Sequence, residues 1–226
     1  EVLTQHLAER RTEGVRMNVN FLGEAVLSEA ESERRLQQYL QGLQWPETEV
    51  VSIKISTLYS QISPLAREHT VSVLCDRLER LFRTAARAQF VRPDGTSVPK
   101  FVYLDMEEYR DKELTAAAFM RTLDRDGLQH VRAGIALQSY IPDSFRTLLQ
   151  LQEWARRRVA GGGGRITIRL VKGANMESER AESSVRGWPQ APYQTKLETD
   201  ANYKRMVHEV LTPENLAAMD VGVASH

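Results

Sequence analysis

An α/β fold on a parallel sheet is predicted by three features of this 226-residue sequence. Short β-rich runs alternate with longer amphipathic stretches, the stretches carry apolar residues three or four apart, and each run delivers a polar residue at its C-terminal end. Parallel strands need a crossover of a dozen or so residues between them, which the amphipathic stretches supply.

In chain order, VRMNVNF (15 to 21), VVSIKIS (50 to 56), KFVYLD (100 to 105), AGIALQ (133 to 138), RITIRLV (165 to 171) and DVGVAS (220 to 225) read as strands. Their β-branched content and near-continuous hydrophobicity carry that reading. APYQTK (191 to 196) is a weaker additional strand. Helical spacing is clearest in Val71, Leu74, Cys75, Leu78, Leu81, Phe82 and Ala85. Ser28 with Glu31 has capping-box spacing before Leu36, Leu40 and Leu43. Asp143 after Pro142 marks another helix start, and Thr199 opens one that carries Tyr203, Met206, Val207 and Val210. Gly161 to Gly164 reads as a turn, and Arg156 to Arg158 as a solvated helix end that complements the helix dipole.

Thirty Lys plus Arg balance thirty Asp plus Glu. That gives no electrostatic case for nucleic acid or an anionic membrane, so a small ligand is the expected partner. Cys75 is the single cysteine, which excludes an internal disulfide and points to a reducing, cytoplasmic setting. No apolar run approaches the roughly 18 residues of a membrane span, and peripheral contact with the inner membrane through other parts is an open alternative. The histidines at 6, 69, 130 and 208 lack metal-ligand spacing, and no GxGxxG or GxxxxGK[ST] occurs.

The strand ends bear Glu24, Lys54, Asp105, Gln138, Arg169 with Lys172, Lys196, and finally Ser225 with His226. A doubly wound sheet concentrates such groups on two or three strands, whereas a (β/α)8 barrel gathers all of them at one mouth. Seven strands against the eight of a complete barrel, which typically takes about 250 residues, predict one domain over residues 1 to 226. It reads as a TIM-type barrel whose last unit is missing.

Taken singly, these residues admit plainer readings. Lys54 suits an edge-strand charge, Asp105 a helix cap, and Gly173 an ordinary turn. Arg169 does not, because a guanidinium within an apolar strand costs several kcal/mol unless it is paired or meets a ligand.

LGEAVLSEAE (22 to 31), SIKIS (52 to 56), YLDMEEY (103 to 109), LQSY (137 to 140), RLVKGA (169 to 174), TKLETDANY (195 to 203) and VASH (223 to 226) together resemble the proline dehydrogenase domain. The likeness is greatest to the flavin domain of bacterial proline utilization A proteins. It implies a distorted (β/α)8 TIM-type barrel, here truncated before the eighth strand and last helix, with noncovalent FAD that oxidises L-proline to Δ1-pyrroline-5-carboxylate and a quinone or other acceptor reoxidising the flavin. It also implies a fused or separate pyrroline-5-carboxylate dehydrogenase as partner.

Carried over by position, the resemblance pairs Lys54 with the substrate carboxylate and sets Asp105 beside it, in contact with substrate and cofactor. Leu170 walls the substrate, and Glu24 matches an acid that pairs with an arginine of the last barrel helix. Arg169 is placed near flavin N5 and Gln138 at the isoalloxazine. Val171, Gly173, Ala174, Lys196, Ser225 and His226 line the cofactor. Asn175 and Met176 stand where many of these proteins have aromatic residues, so the shape of that wall is not carried over. Outside the resemblance, Lys54 also suits a Schiff-base aldolase or lyase, and a barrel that binds ligand without turnover is a third alternative.

Overall fold

The structure is a computed structural model and describes residues 2–21, 25–173 and 175–224. It opens with α1 (Val2–Thr12), β1 (Asn18–Asn20), α2 (Glu29–Gly42), β2 (Val50–Lys54), α3 (Ile55–Leu58) and α4 (Arg67–Arg87). The hairpin β3 (Gln89–Val91) and β4 (Ser97–Pro99) follows, then β5 (Phe101–Asp105), a 3-10 turn (Tyr109–Asp111) and α5 (Lys112–Leu123). The remainder is β6 (Gly134–Gln138), α6 (Ser144–Ala160), β7 (Ile166–Val171), α7 (Met176–Arg186), α8 (Lys196–Val210), α9 (Pro213–Ala218) and β8 (Met219–Val223).

Six strands form one sheet in the order β1-β2-β5-β6-β7-β8, with every neighbouring pair parallel. All six C-terminal ends therefore lie on one side, as the polar strand ends predicted. The sheet's two faces differ chemically. Val51, Ile53, Val102, Leu104, Ile135, Leu137, Ile166, Ile168 and Leu170 belong to the hydrophobic core, where they pack with apolar residues of the helices. Each such side chain contributes about 1.5–3 kcal/mol by leaving water. The alternate residues Ser52, Lys54, Tyr103, Asp105, Gln138, Thr167 and Arg169 occupy the other face, as the period of two requires.

That inner face borders two cavities. One of about 840 Å³ lies at the N-terminal ends, between Val50, Phe101, Tyr103, Thr167 and Asp220. The other, of about 370 Å³, lies at the C-terminal ends.

Several expectations are corrected. Residues 191–196 are not a strand: Thr195 makes a capping box with Glu198 and launches α8 at Lys196. That cap outweighs the weak β propensity, so among the described residues the parallel sheet has six strands rather than seven. The helix expected to open at Thr199 therefore begins one turn earlier, at Lys196, and Thr199 is buried inside α8. The β3–β4 hairpin was not predicted, although Asp94-Gly95 between two alternating runs is a hairpin signal.

Asp143 does mark a helix start, standing at the N-cap position of α6, while its side chain makes no cap bond and accepts a hydrogen bond from the Tyr109 hydroxyl at 2.8 Å. Arg158 is no solvated helix end. It is buried, and its guanidinium donates to the carbonyls of Leu123, Leu128, Val131 and Gly164 at 2.5–3.2 Å. The glycine tract accommodates it: a Cβ at Gly163 would meet the Arg158 side chain at 2.8 Å.

Candidate active site

The C-terminal cavity is lined by Lys54 of β2, Asp105 of β5, Gln138 of β6 and Arg169 and Val171 of β7, with Glu107 and Gly173 on the following loops. Strand register brings them together, since Lys54 stands opposite Asp105 and Gln138 opposite Val171.

Two ion pairs organise the mouth. The Arg169 guanidinium donates to Asp105 Oδ1, and its Cζ lies 4.8 Å from the centre of the Tyr103 ring. Gly134 makes room for that ring, because a Cβ there would meet Tyr103 Cε1 at 2.3 Å. Burial pushes the Asp105 carboxyl up from its ordinary pKa, against the opposing pull of Arg169, a Ser52 hydrogen bond and Lys54. The reading of Asp105 as a helix cap does not hold, since its carboxylate is committed to Arg169.

The second pair joins Lys54 Nζ to Glu107 Oε1 at 2.5 Å. Ser56 Oγ donates to the other Glu107 oxygen. Gln138 fixes the loop by donating its side-chain amide to the carbonyls of Met106 at 3.1 Å and Glu107 at 3.3 Å.

At the outer edge, Lys172 and Lys196 share Asp200, at 2.7 and 2.5 Å. Those two hydrogen-bonded cations, Lys172 first, lower the Asp200 pKa to about 2. Lys196 itself is on α8, not on a strand, and does not line the cavity, which Lys172 does. Gly173 has φ +145°, and a Cβ there would meet the Tyr140 ring at 2.0 Å, so both conformation and space require glycine. Leu170 is fully buried in the hydrophobic core, outside the lining of this cavity. Glu24, Ala174, Ser225 and His226 lie outside the described residues.

Lys54, Asp105, Gln138, Arg169, Val171 and Gly173 are thus brought to one site. Sequence reasoning missed Glu107 and Ser56. Each stands two residues beyond a strand-end charge, Lys54 or Asp105, and that spacing was the available signal. It missed Asp200 too, which lies one helical turn after Lys196.

The cavity volume is within the range of small-ligand sites, and alternating fixed charges suit a ligand that is itself polar. A chain-long likeness agrees with the geometry. The family model described as proline dehydrogenase matches residues 3–226. Among curated proteins, the bifunctional protein PutA of Klebsiella aerogenes is 26% identical over 96% of this chain and 16% of its own length. The proline dehydrogenase of Deinococcus radiodurans is 29% identical over 56% of this chain and 32% of its own. The solved structure of proline utilization A from Corynebacterium freiburgense superposes with a TM-score of 0.91 at 41% identity, covering 100% of this chain and 22% of that one. The one from Bdellovibrio bacteriovorus, inactivated by N-propargylglycine, gives 0.85 at 31% identity over 98% and 24%. This chain therefore spans about a sixth of the curated PutA relative and about a third of the Deinococcus protein.

Proposed function

The chain belongs to the proline dehydrogenase family, and from that premise we propose that its barrel mouth oxidises L-proline to Δ1-pyrroline-5-carboxylate with FAD. The observation that carries this reading is the meeting of Lys54 and Arg169 at one cavity, each held by its own carboxylate. The inner face suits a flavin. Arg169, Gln138, Val171 and Gly173 would hold it, with Lys172 and Lys196 as cations for its more exposed parts. Gly173 supports close backbone approach, since that position has no room for a side chain.

FAD supplies the acceptor for the hydride that leaves the carbon beside the ring nitrogen. This chain's residues bind and orient. Lys54 gives a point charge to the substrate carboxylate in a half-buried setting, where the attraction exceeds that in bulk water. Arg169 presents a fixed positive charge where negative charge develops on the acceptor. Asp105 and the Tyr103 ring hold that guanidinium before substrate arrives, so little reorganisation is needed during reaction.

A Schiff-base lyase would need the free lone pair of Lys54. The ion pair with Glu107 occupies that nitrogen and weighs against this alternative. A quinone fits as the acceptor that reoxidises FAD. Because the Klebsiella relative is named bifunctional, a pyrroline-5-carboxylate dehydrogenase on the same polypeptide is the expected partner.

The visible spectrum of the complete, FAD-loaded protein, recorded before and after anaerobic addition of L-proline, tests this reading. Bleaching of the flavin bands is expected. A protein that stays colourless in the presence of FAD, or a flavin that proline leaves oxidised, contradicts it.

A further inference from the structure

The larger cavity, of about 840 Å³, lies at the N-terminal ends of the strands, opposite the mouth where the reaction is proposed. A TIM-type barrel ordinarily fills its interior with side chains and keeps its chemistry at the other end, so a space of this size here is a departure. Its volume falls within the range of sites for small organic molecules.

Two kinds of surface line it. One is apolar and aromatic: Val50, Val98, Val131 and the rings of Phe101 and Tyr103, whose centres stand 4.9 Å apart at 58°. The other is basic, with Arg16, Arg92, Lys100 and Arg132. Among the described residues, Asp220 is the only carboxylate in the lining.

The local acids do not balance these cations. Arg16 and Arg92 share a single oxygen of the buried Glu49, at 2.5 and 2.9 Å. Arg132 shares Asp220 with Arg165, at 2.6 and 2.8 Å. Lys100 is buried, donates to the Trp45 carbonyl at 2.5 Å and, among the described residues, forms no ion pair. Burial pushes its pKa down, against a weaker pull from Glu47. Glu47 and Asp94 border a separate cavity of about 300 Å³. Two guanidiniums on one carboxylate oxygen are like charges held close together, and each has five donors, so Arg16 and Arg92 keep both the charge and the hydrogen bonds for a second anion.

We propose that this cavity is a binding site for a small aromatic anion, a flat unsaturated body bearing a sulfonate, carboxylate or phosphate group. The body lies against Phe101 and Tyr103, and the acid group takes the donors that Glu49 leaves on Arg16 and Arg92. Arg132 and Lys100 add attraction from the same lining. Neither half of such a ligand suffices: a neutral body lacks the charge-assisted bonds, and a bare inorganic anion leaves the aromatic wall in water.

The test titrates 2-naphthalenesulfonate, the neutral naphthalene-2-sulfonamide and inorganic sulfate into the complete, FAD-loaded protein by calorimetry. The sulfonate is expected to bind at least about tenfold more tightly than either comparator. Arg92→Met should weaken the sulfonate about tenfold and the sulfonamide little. Arg16→Gln, at a side chain that is 60% exposed, removes charge from the same pair and carries the test should Arg92→Met fail to fold. Val98→Trp, on the β3–β4 hairpin, fills the cavity without altering a charge and should abolish binding. Lys54→Met, at the opposite end of the barrel, should leave the affinity for the sulfonate as in the parent protein, which separates this cavity from the mouth.

The assignment is overturned by a parent protein that does not bind the sulfonate, by equal affinities for sulfonate and sulfonamide, or by binding that Lys54→Met removes and the substitutions at Arg92, Arg16 and Val98 leave intact. Flavin bleaching by L-proline is measured separately, so the reading of the mouth stands or falls independently of this site.

Discussion

Arg158 and Arg169 are both arginines set among apolar neighbours, yet they lie in regions of opposite character. Arg158, on the last turn of α6, spends its donors on the carbonyls of Leu123, Leu128, Val131 and Gly164, all inside the protein. Arg169, on β7, donates to Asp105 and turns the rest of its guanidinium toward an open cavity. A buried cation with four of its five donors engaged in this way stitches loops together and has little left to offer a ligand. An incompletely satisfied one beside a cavity is poised for an incoming partner. Burial alone does not separate structural from functional charges; the number of donors left over does.

The largest expected effect breaks the structural member of this comparison. Arg158→Met takes a charged donor from four carbonyls, the bonds to Leu123 and Leu128 being buried, and should lower unfolding free energy by about 3–5 kcal/mol, measured by chemical denaturation. Arg169→Met should lower it much less, because its partner Asp105 already has a pKa raised by burial and can take up a proton. Equal losses would erase the distinction.

Lys54→Met sharpens the same contrast within the mouth. It should raise the half-saturating proline concentration about tenfold, with a smaller effect on the maximal rate of flavin reduction, because under the proposed function it removes a binding charge and not the one at the acceptor. Steady-state kinetics of the complete protein decide this, and an unchanged half-saturation would remove Lys54 from the substrate site.

A third buried charge has only a distant ion pair, with the Arg110 guanidinium at 4.0 Å, and its effect is the smallest. Asp111, at the end of the 3-10 turn, has a carboxyl oxygen with no hydrogen-bond partner, and burial pushes its pKa up to about 6. The folded state then holds a proton that the unfolded chain releases near its ordinary value of about 3.9, so stability falls as pH rises between those two values. Asp111→Asn should gain about 1–2 kcal/mol over the parent above pH 7 and nothing below pH 4, as thermal melts across that range would reveal.

The parallel sheet was legible because each strand carries a dense apolar run and each crossover an apolar stripe. The polar strand ends at Lys54, Asp105, Gln138 and Arg169 were legible because charge is conspicuous against that background. What remained hidden depended on tertiary placement. Nothing local distinguishes Arg158 from Arg156 and Arg157; only the loops around 123–131 and the glycine tract folding over it make it a core residue. Glu107 sits in an acidic stretch, MEEY, whose two glutamates look alike until Ser56 and Lys54 select one of them. The weak strand at 191–196 failed because a Thr195–Glu198 cap, a short-range signal, decided the local structure in favour of a helix.

The central claim is that the Arg169 guanidinium faces the reacting atoms. Single-turnover reduction of the flavin by saturating L-proline in Arg169→Met, followed anaerobically in a stopped-flow instrument, tests it most directly. The account predicts a rate about 10²- to 10³-fold below that of the parent protein, with the flavin still bound, as removal of one preorganised charge commonly gives. A rate equal to the parent's would contradict it.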